Sequence, residues 1–173
     1  GYLDIDSIVK VTHEVLQNYS RFQYYGFFLY DPDRRDFRLA ANRGFDEKMR
    51  TDGGTLPSAN SLTAIAFSQG TIAVSENIDQ DHRLDPKVRK ILTERGIKSA
   101  IVIPLLNVSN PLGSINLLYK QPQRMGESDL KMLIAIGKIV STAIINSRKL
   151  EALHHRVYHD GLTELPNRIA FHE

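Results

Sequence analysis

The spacing of apolar positions changes along this chain, and each change predicts an element. After Asp4 or Asp6, either of which can cap a helix, Ile5, Ile8, Val9, Thr12, Val15 and Leu16 recur at helical spacing. Tyr24 to Tyr30 (YYGFFLY) is aromatic-rich and predicts a strand, and Asp31-Pro32-Asp33-Arg34 predicts a turn. Phe37, Leu39 and Ala41 alternate with Arg38 and Ala40, as in a half-exposed second strand, and Asn42 to Pro57 reads mostly as loop. Ser58 or Ser61 can cap a short helix ending before Gly70; Thr71 to Val74 predicts a strand and Ser75 to Leu84 a polar loop. Asp85-Pro86 opens another helix, which Gly96 stops. Ser99 to Leu106 (SAIVIPLL) is apolar almost throughout, as expected of a strand covered on both faces. Asn107 to Pro111 turns the chain, and Gly113 to Lys120 returns as the hairpin partner. Helices on both sides of a small antiparallel sheet make an α+β domain.

A long helix follows, with Ser128 as a cap and two apolar stripes. Leu130, Leu133, Gly137, Val140 and Ile144 form the first, which meets Ser147 and Glu151 and so ends near residue 146. Met132, Ile136, Ile139, Ala143, Asn146, Leu150, Leu153 and Val157 form the second, in unbroken steps of four and three, a heptad pattern. The first stripe stops where the domain should stop and is expected to pack on the sheet. The second runs on, and an apolar seam with no cover in its own chain needs a partner helix. It predicts a parallel coiled-coil homodimer, with Asn146 fixing the register. The other reading is that the extension packs on its own domain or frays.

The chain has 173 residues, enough for one domain and an appendage, and needs no disulfide or metal to fold. It has no cysteine, which removes thiol catalysis and thiolate-held metals and is compatible with a reducing compartment such as the cytoplasm. The 22 basic and 20 acidic residues give a charge of +2, which makes no case for nucleic acid or a membrane surface. Ile134 to Ile145, interrupted by Lys138, is too short to span a bilayer. A start at Gly1 suggests a piece of a longer protein, so a membrane segment upstream stays open.

Three stretches carry a resemblance: Ser61 to Gly70 (SLTAIAFSQG), Gly96 to Leu105 (GIKSAIVIPL) and Pro111 to Leu118 (PLGSINLL). In order and spacing they are similar to the GAF domain, a ligand-binding and dimerising module of signalling proteins, over about residues 1–148. The resemblance implies a GAF-like sheet of about five to six strands flanked by helices, with residues 127–158 as a coiled-coil signalling helix overlapping its end. It also implies a small-molecule site. We place that site on the sheet face opposite the terminal helices, near Phe45, Ser75, Ile78, Arg83, Ile103 and Tyr119, where Arg83 could meet an anion. Some GAF domains bind cyclic nucleotides through Asn-Lys-x-Asn-Phe-x-x-x-Asp-Glu; Tyr119 to Leu130 lacks clear counterparts of the Asn, Phe and final Glu. The missing cysteine argues against a covalent bilin. Haem through His13 or His82 competes with a plain surface role for either histidine.

Asp160-Gly-Leu-Thr-Glu-Leu-Pro-Asn-Arg168 resembles the first motif of the GGDEF domain of diguanylate cyclases, Asp-x-Leu-Thr-Gly-Leu-Pro-Asn-Arg. Glu164 replaces the usual Gly, and Phe171 matches an aromatic that often follows. Residues 159–173 then form the truncated start of that domain, with Asp160, Thr163, Asn167 and Arg168 as its hinge. Two such domains make cyclic di-GMP from GTP with Mg2+, using residues that lie beyond this motif. No catalytic activity is therefore expected of this chain, which becomes the sensor and dimerisation module of a diguanylate cyclase. Two alternatives stay open. One is a purely structural dimerisation module. The other is the sensor of a protein with a degenerate GGDEF domain and a cyclic di-GMP phosphodiesterase domain.

Two further clusters favour plain readings. His155 and His159 are an i,i+4 pair beside His154, but they fall on the outer helix face with no carboxylate at matching spacing. Asp79 to Asp85 suggests calcium, yet an EF-hand count from Asp79 fails at Arg83, Leu84 and Lys90, which leaves a capped surface loop and no metal site.

Overall fold

A computed structural model of the protein describes residues 3–52 and 60–158, with side chains described through residue 50 and from 60 to 155. Helix α1 (Ile5–Tyr19) opens on Asp4, whose carboxylate accepts from Ser7 N–H at 2.7 Å. Strands β1 (Tyr24–Asp31) and β2 (Asp36–Arg43) follow, then α2 (Glu47–Asp52) and α3 (Leu62–Gln69). Ser61 caps α3, and Gly70 ends it in the left-handed conformation (φ 66°) that glycine adopts at no steric cost. Next come β3 (Ala73–Ser75), a 3-10 turn (Ile78–Gln80) and α4 (Pro86–Glu94), opened by Asp85 as expected. β4 (Ser99–Asn107), β5 (Asn110–Tyr119) and α5 (Glu127–Tyr158) complete the order. Two details depart from expectation. α2 forms inside the stretch read as loop, where Asp46 accepts from Met49 N–H at 2.7 Å. α5 starts at Glu127, so Ser128 lies inside it rather than capping it.

The sheet has five strands in the order β2-β1-β5-β4-β3, all antiparallel. Strand pleating sends alternate side chains to opposite faces, and each face has its own core. Ile101, Ile103 and Leu105 of β4 join Ile115 and Leu117 of β5 and Phe27 of β1 under α1 and α5. Ala100 and Val102 join Leu118, Ala73 and Ile78 under α3, with Met49 of α2 and Leu92 of α4 alongside. The apolar run of β4 is thus explained: both of its faces are covered.

α5 lies on β4 at Gly137. A Cβ there would stand 2.6 Å from Ile103 Cγ2, so only glycine allows this approach. One turn on, Ser141 Oγ accepts from Leu106 N–H at 3.1 Å and donates to Gly137 C=O at 2.7 Å, which ties helix to strand. The first stripe is buried as expected at Leu133, Gly137, Val140 and Ile144. It reaches further than expected, because Ser147 is buried too, and Arg148 donates to Tyr30 C=O at 3.4 Å.

Gly137→Val should overpack this contact and lower stability by about 1–3 kcal/mol. Urea unfolding checks it; an unchanged midpoint would mean that α5 can stand off β4.

Candidate functional site

The face beneath α3 and α4 carries four of the six residues expected at a pocket. Phe45, just past β2, packs on Phe28 with ring centroids 6.5 Å apart. Together these two rings occupy the space above Gly26, where a Cβ would stand 2.7 Å from Phe28 and 2.8 Å from Phe45. Ser75 ends β3 on the same face, and Ile78 is fully buried in the core beneath.

Arg83 lies at the edge of this face and is already engaged. Its guanidinium meets Asp81 through two bonds of 2.9 and 2.6 Å and donates to Val74 C=O at 2.6 Å. That last bond satisfies a carbonyl of the sheet's edge strand. An anion at Arg83 would have to displace part of this arrangement. The pair also sets the charge state of Asp81, whose carboxyl is held at about 2. The main cause is the Arg83 side chain; burial opposes it, and the Arg83 N–H adds smaller help.

The other acidic groups of this loop are committed too. Asp79 accepts from Thr93 Oγ1 at 2.7 Å and from Lys98 at 2.8 Å, and Asp85 caps α4 through Lys87 N–H at 2.7 Å. Bonding to Lys98 and Thr93 holds the Asp79 carboxyl below its ordinary value.

Ile103 and Tyr119 do not belong to this face, which corrects the expectation for both. Strand register sends them to the α1/α5 side, where Ile103 lies under Gly137 and the Tyr119 hydroxyl bonds to Ser20 Oγ. In their place the structure brings in Asn116, paired between Gly26 and Val102 in the middle of the sheet. Its side-chain oxygen is buried with no hydrogen-bond partner among the described residues. A lone amide in the apolar run Gly113 to Tyr119 was the available signal, since a buried polar group in such a strand needs a partner.

The seam residues behave in two ways. Ile136 and Ala143 are half-buried against their own domain's core, so part of the second stripe has cover already. Met132, Ile139, Leu150 and Leu153 are exposed, Ile139 by 69% and Leu153 by 54%, and Asn146 is exposed between them. Every residue from Lys149 to His155 is exposed. The side chain of Val157 and the hinge residues Asp160, Thr163, Asn167 and Arg168 lie outside the described residues. No helix among the described residues is long and apolar enough to cross a membrane.

This architecture, with one helix pair on the terminal side of an antiparallel sheet and shorter helices on the other, has clear relatives. A family model for the GAF domain matches residues 3–145, and the chain belongs to the GAF family. Its fold is similar to a domain assigned to a two-component sensor histidine kinase of Sinorhizobium meliloti (TM-score 0.71, 19% identity, 88% of this chain and 98% of that one). It is also similar to a GAF domain/HD domain protein of Geobacter sulfurreducens (0.70, 14%, 86% and 97%). The GAF domain of a two-component sensor histidine kinase from Bacillus halodurans aligns at 0.67 with 20% identity, over 86% of this chain and 98% of that one. No curated protein matches the sequence. GAF domains act as sensory and regulatory modules in sensor kinases and other signalling proteins.

The Asp81–Arg83 pair gives a pH test. Folding lowers the carboxyl from its ordinary 3.8 to about 2, so its contribution is complete above the ordinary value and fades as pH falls toward 2. Arg83 is half-exposed, which limits the gain through solvent screening. Asp81→Asn should therefore cost about 1 kcal/mol at neutral pH. Denaturation measured from neutral to acid pH should show that difference closing near pH 2; a constant gap would contradict an ionic pair.

Proposed function

We propose that this chain is the sensor and dimerisation module of a diguanylate cyclase, passing its state through α5 to a following GGDEF domain. The carrying observation is the exposure of Leu150 and Leu153 on a helical segment with no cover from its own domain. Desolvating such a seam favours a second copy of the same chain, and Asn146 in the seam selects one register. Met132, Ile136, Ile139 and Ala143 extend the contact toward the domain, and Val157 continues its spacing toward the output.

The second support is the match of Asp160 to Arg168 with the opening of a GGDEF domain. In this reading GTP and Mg2+ are used by the downstream domain in the cytoplasm, and no nucleic acid or membrane partner is involved. Asp160, Thr163, Asn167 and Arg168 form the hinge between helix and output. A small molecule on the face under α3, near Phe45, Ser75, Ile78 and Asn116 with Arg83 at its edge, would act by favouring one helix arrangement. A difference of roughly 1–3 kcal/mol between arrangements is enough for useful control.

Leu150→Glu with Leu153→Glu should convert dimers to monomers in sedimentation while the domain stays folded, because both side chains are exposed in the single chain. In the full-length protein the same change should lower cyclic di-GMP synthesis by about ten-fold or more. A persisting dimer would remove the coiled coil. Monomers with undiminished synthesis would leave a structural module, and a full-length protein that makes no cyclic di-GMP would point to a degenerate output domain.

A further inference from the structure

A cleft lies on the terminal-helix side of the sheet, between α1 and β2, separate from the face under α3. Asp6, Val9, Lys10 and His13 recur at helical spacing along one side of α1 and form one wall. Tyr25, Ala40, Ala41 and Asn42 form the other, and the space between is about 320 Å³. The small side chains of Ala40 and Ala41 are what leave it open.

Two buried polar atoms, one from each wall, have no partner among the described residues: the Tyr25 hydroxyl and His13 Nδ1. Tyr25 is 0% exposed, and its ring lies 4.7 Å from that of His13. His13 Nε2 is 2.8 Å from the Gln17 side-chain nitrogen. In the tautomer whose Nε2 accepts from that amide, the ring proton sits on Nδ1. Burial, helped by the charge of Arg43 and opposed by Glu14, lowers His13 from its ordinary value, so the ring is neutral at neutral pH. Burial raises the Tyr25 phenol, which keeps its proton. In that tautomer the cleft offers two hydrogen-bond donors that lack acceptors among the described residues, one on each wall, an omission costing about 1–3 kcal/mol for each group. Lys10 lines the same cleft, and Val9, Ala40 and Ala41 supply an apolar surface. Asp6 on the same wall disfavours a second negative charge on any occupant.

We infer that this cleft binds a short-chain monocarboxylate, its head on Tyr25 Oη and His13 Nδ1 and its tail against Val9, Ala40 and Ala41. Such a ligand touches α1 directly, and α1 packs beside α5. The site is independent of the reading of the downstream domain.

Sodium butyrate, titrated into the chain against matched sodium chloride, should give saturable NMR shifts in the His13 and Tyr25 rings. Tyr25→Phe should weaken binding by roughly ten-fold or more. Ala41→Leu should abolish it by filling the cleft while the protein stays folded; His13→Leu replaces the tyrosine variant if that one does not fold. Shifts that grow linearly without saturating, equal binding of 1-butanol, or undiminished affinity in both donor variants would overturn the assignment.

Discussion

α5 can lie directly on β4 because residue 137 has no side chain. With Gly137 against Ile103, the helix sits close enough for Ser141 to bond the backbone at Leu106. That contact orients the whole helix. Leu133, Val140 and Ile144 turn inward, and Met132, Ile139, Leu150 and Leu153 are left facing out. The same contact covers Ile103.

The two faces consequently do different work. The α1/α5 side holds the larger core and the helix that leaves the domain. The opposite side holds a smaller core, a buried Asn116 side-chain oxygen without a partner among the described residues, and a loop whose charges are tied down by Asp79, Asp81 and Asp85. Arg83 closes the edge of that side by bonding a strand carbonyl as well as Asp81. A ligand there would act on a sheet whose far face carries α5. Only a small displacement needs to cross, since a packed core transmits strain rather than absorbing it.

Element type and order were legible because they depend on local period and on caps. Asp4, Ser61 and Asp85 start helices where their side chains reach free N–H groups, and Gly70 and Gly96 stop them at positive φ. α2 was missed because Glu47 to Asp52 is short and polar, and its cap at Asp46 precedes no apolar run. The face on which each candidate residue lies was half legible. Phe45, Ser75 and Ile78 do lie on the face under α3. Ile103 and Tyr119 do not, because facing depends on register, and one residue of slip exchanges the faces of a strand.

What the sequence determined by itself is whatever a few neighbouring residues decide: the helices and their ends, the two-sided burial of β4, and the outward heptad of α5. Those follow from spacing, propensity and capping, which need no knowledge of distant segments. The tertiary structure alone decided which side of each strand meets which helix. It also decided that Ile136 and Ala143 are partly covered by their own domain, and that His13 and Tyr25, on different elements, line one cleft. Such pairings depend on how separate elements settle against each other, and no local pattern encodes that.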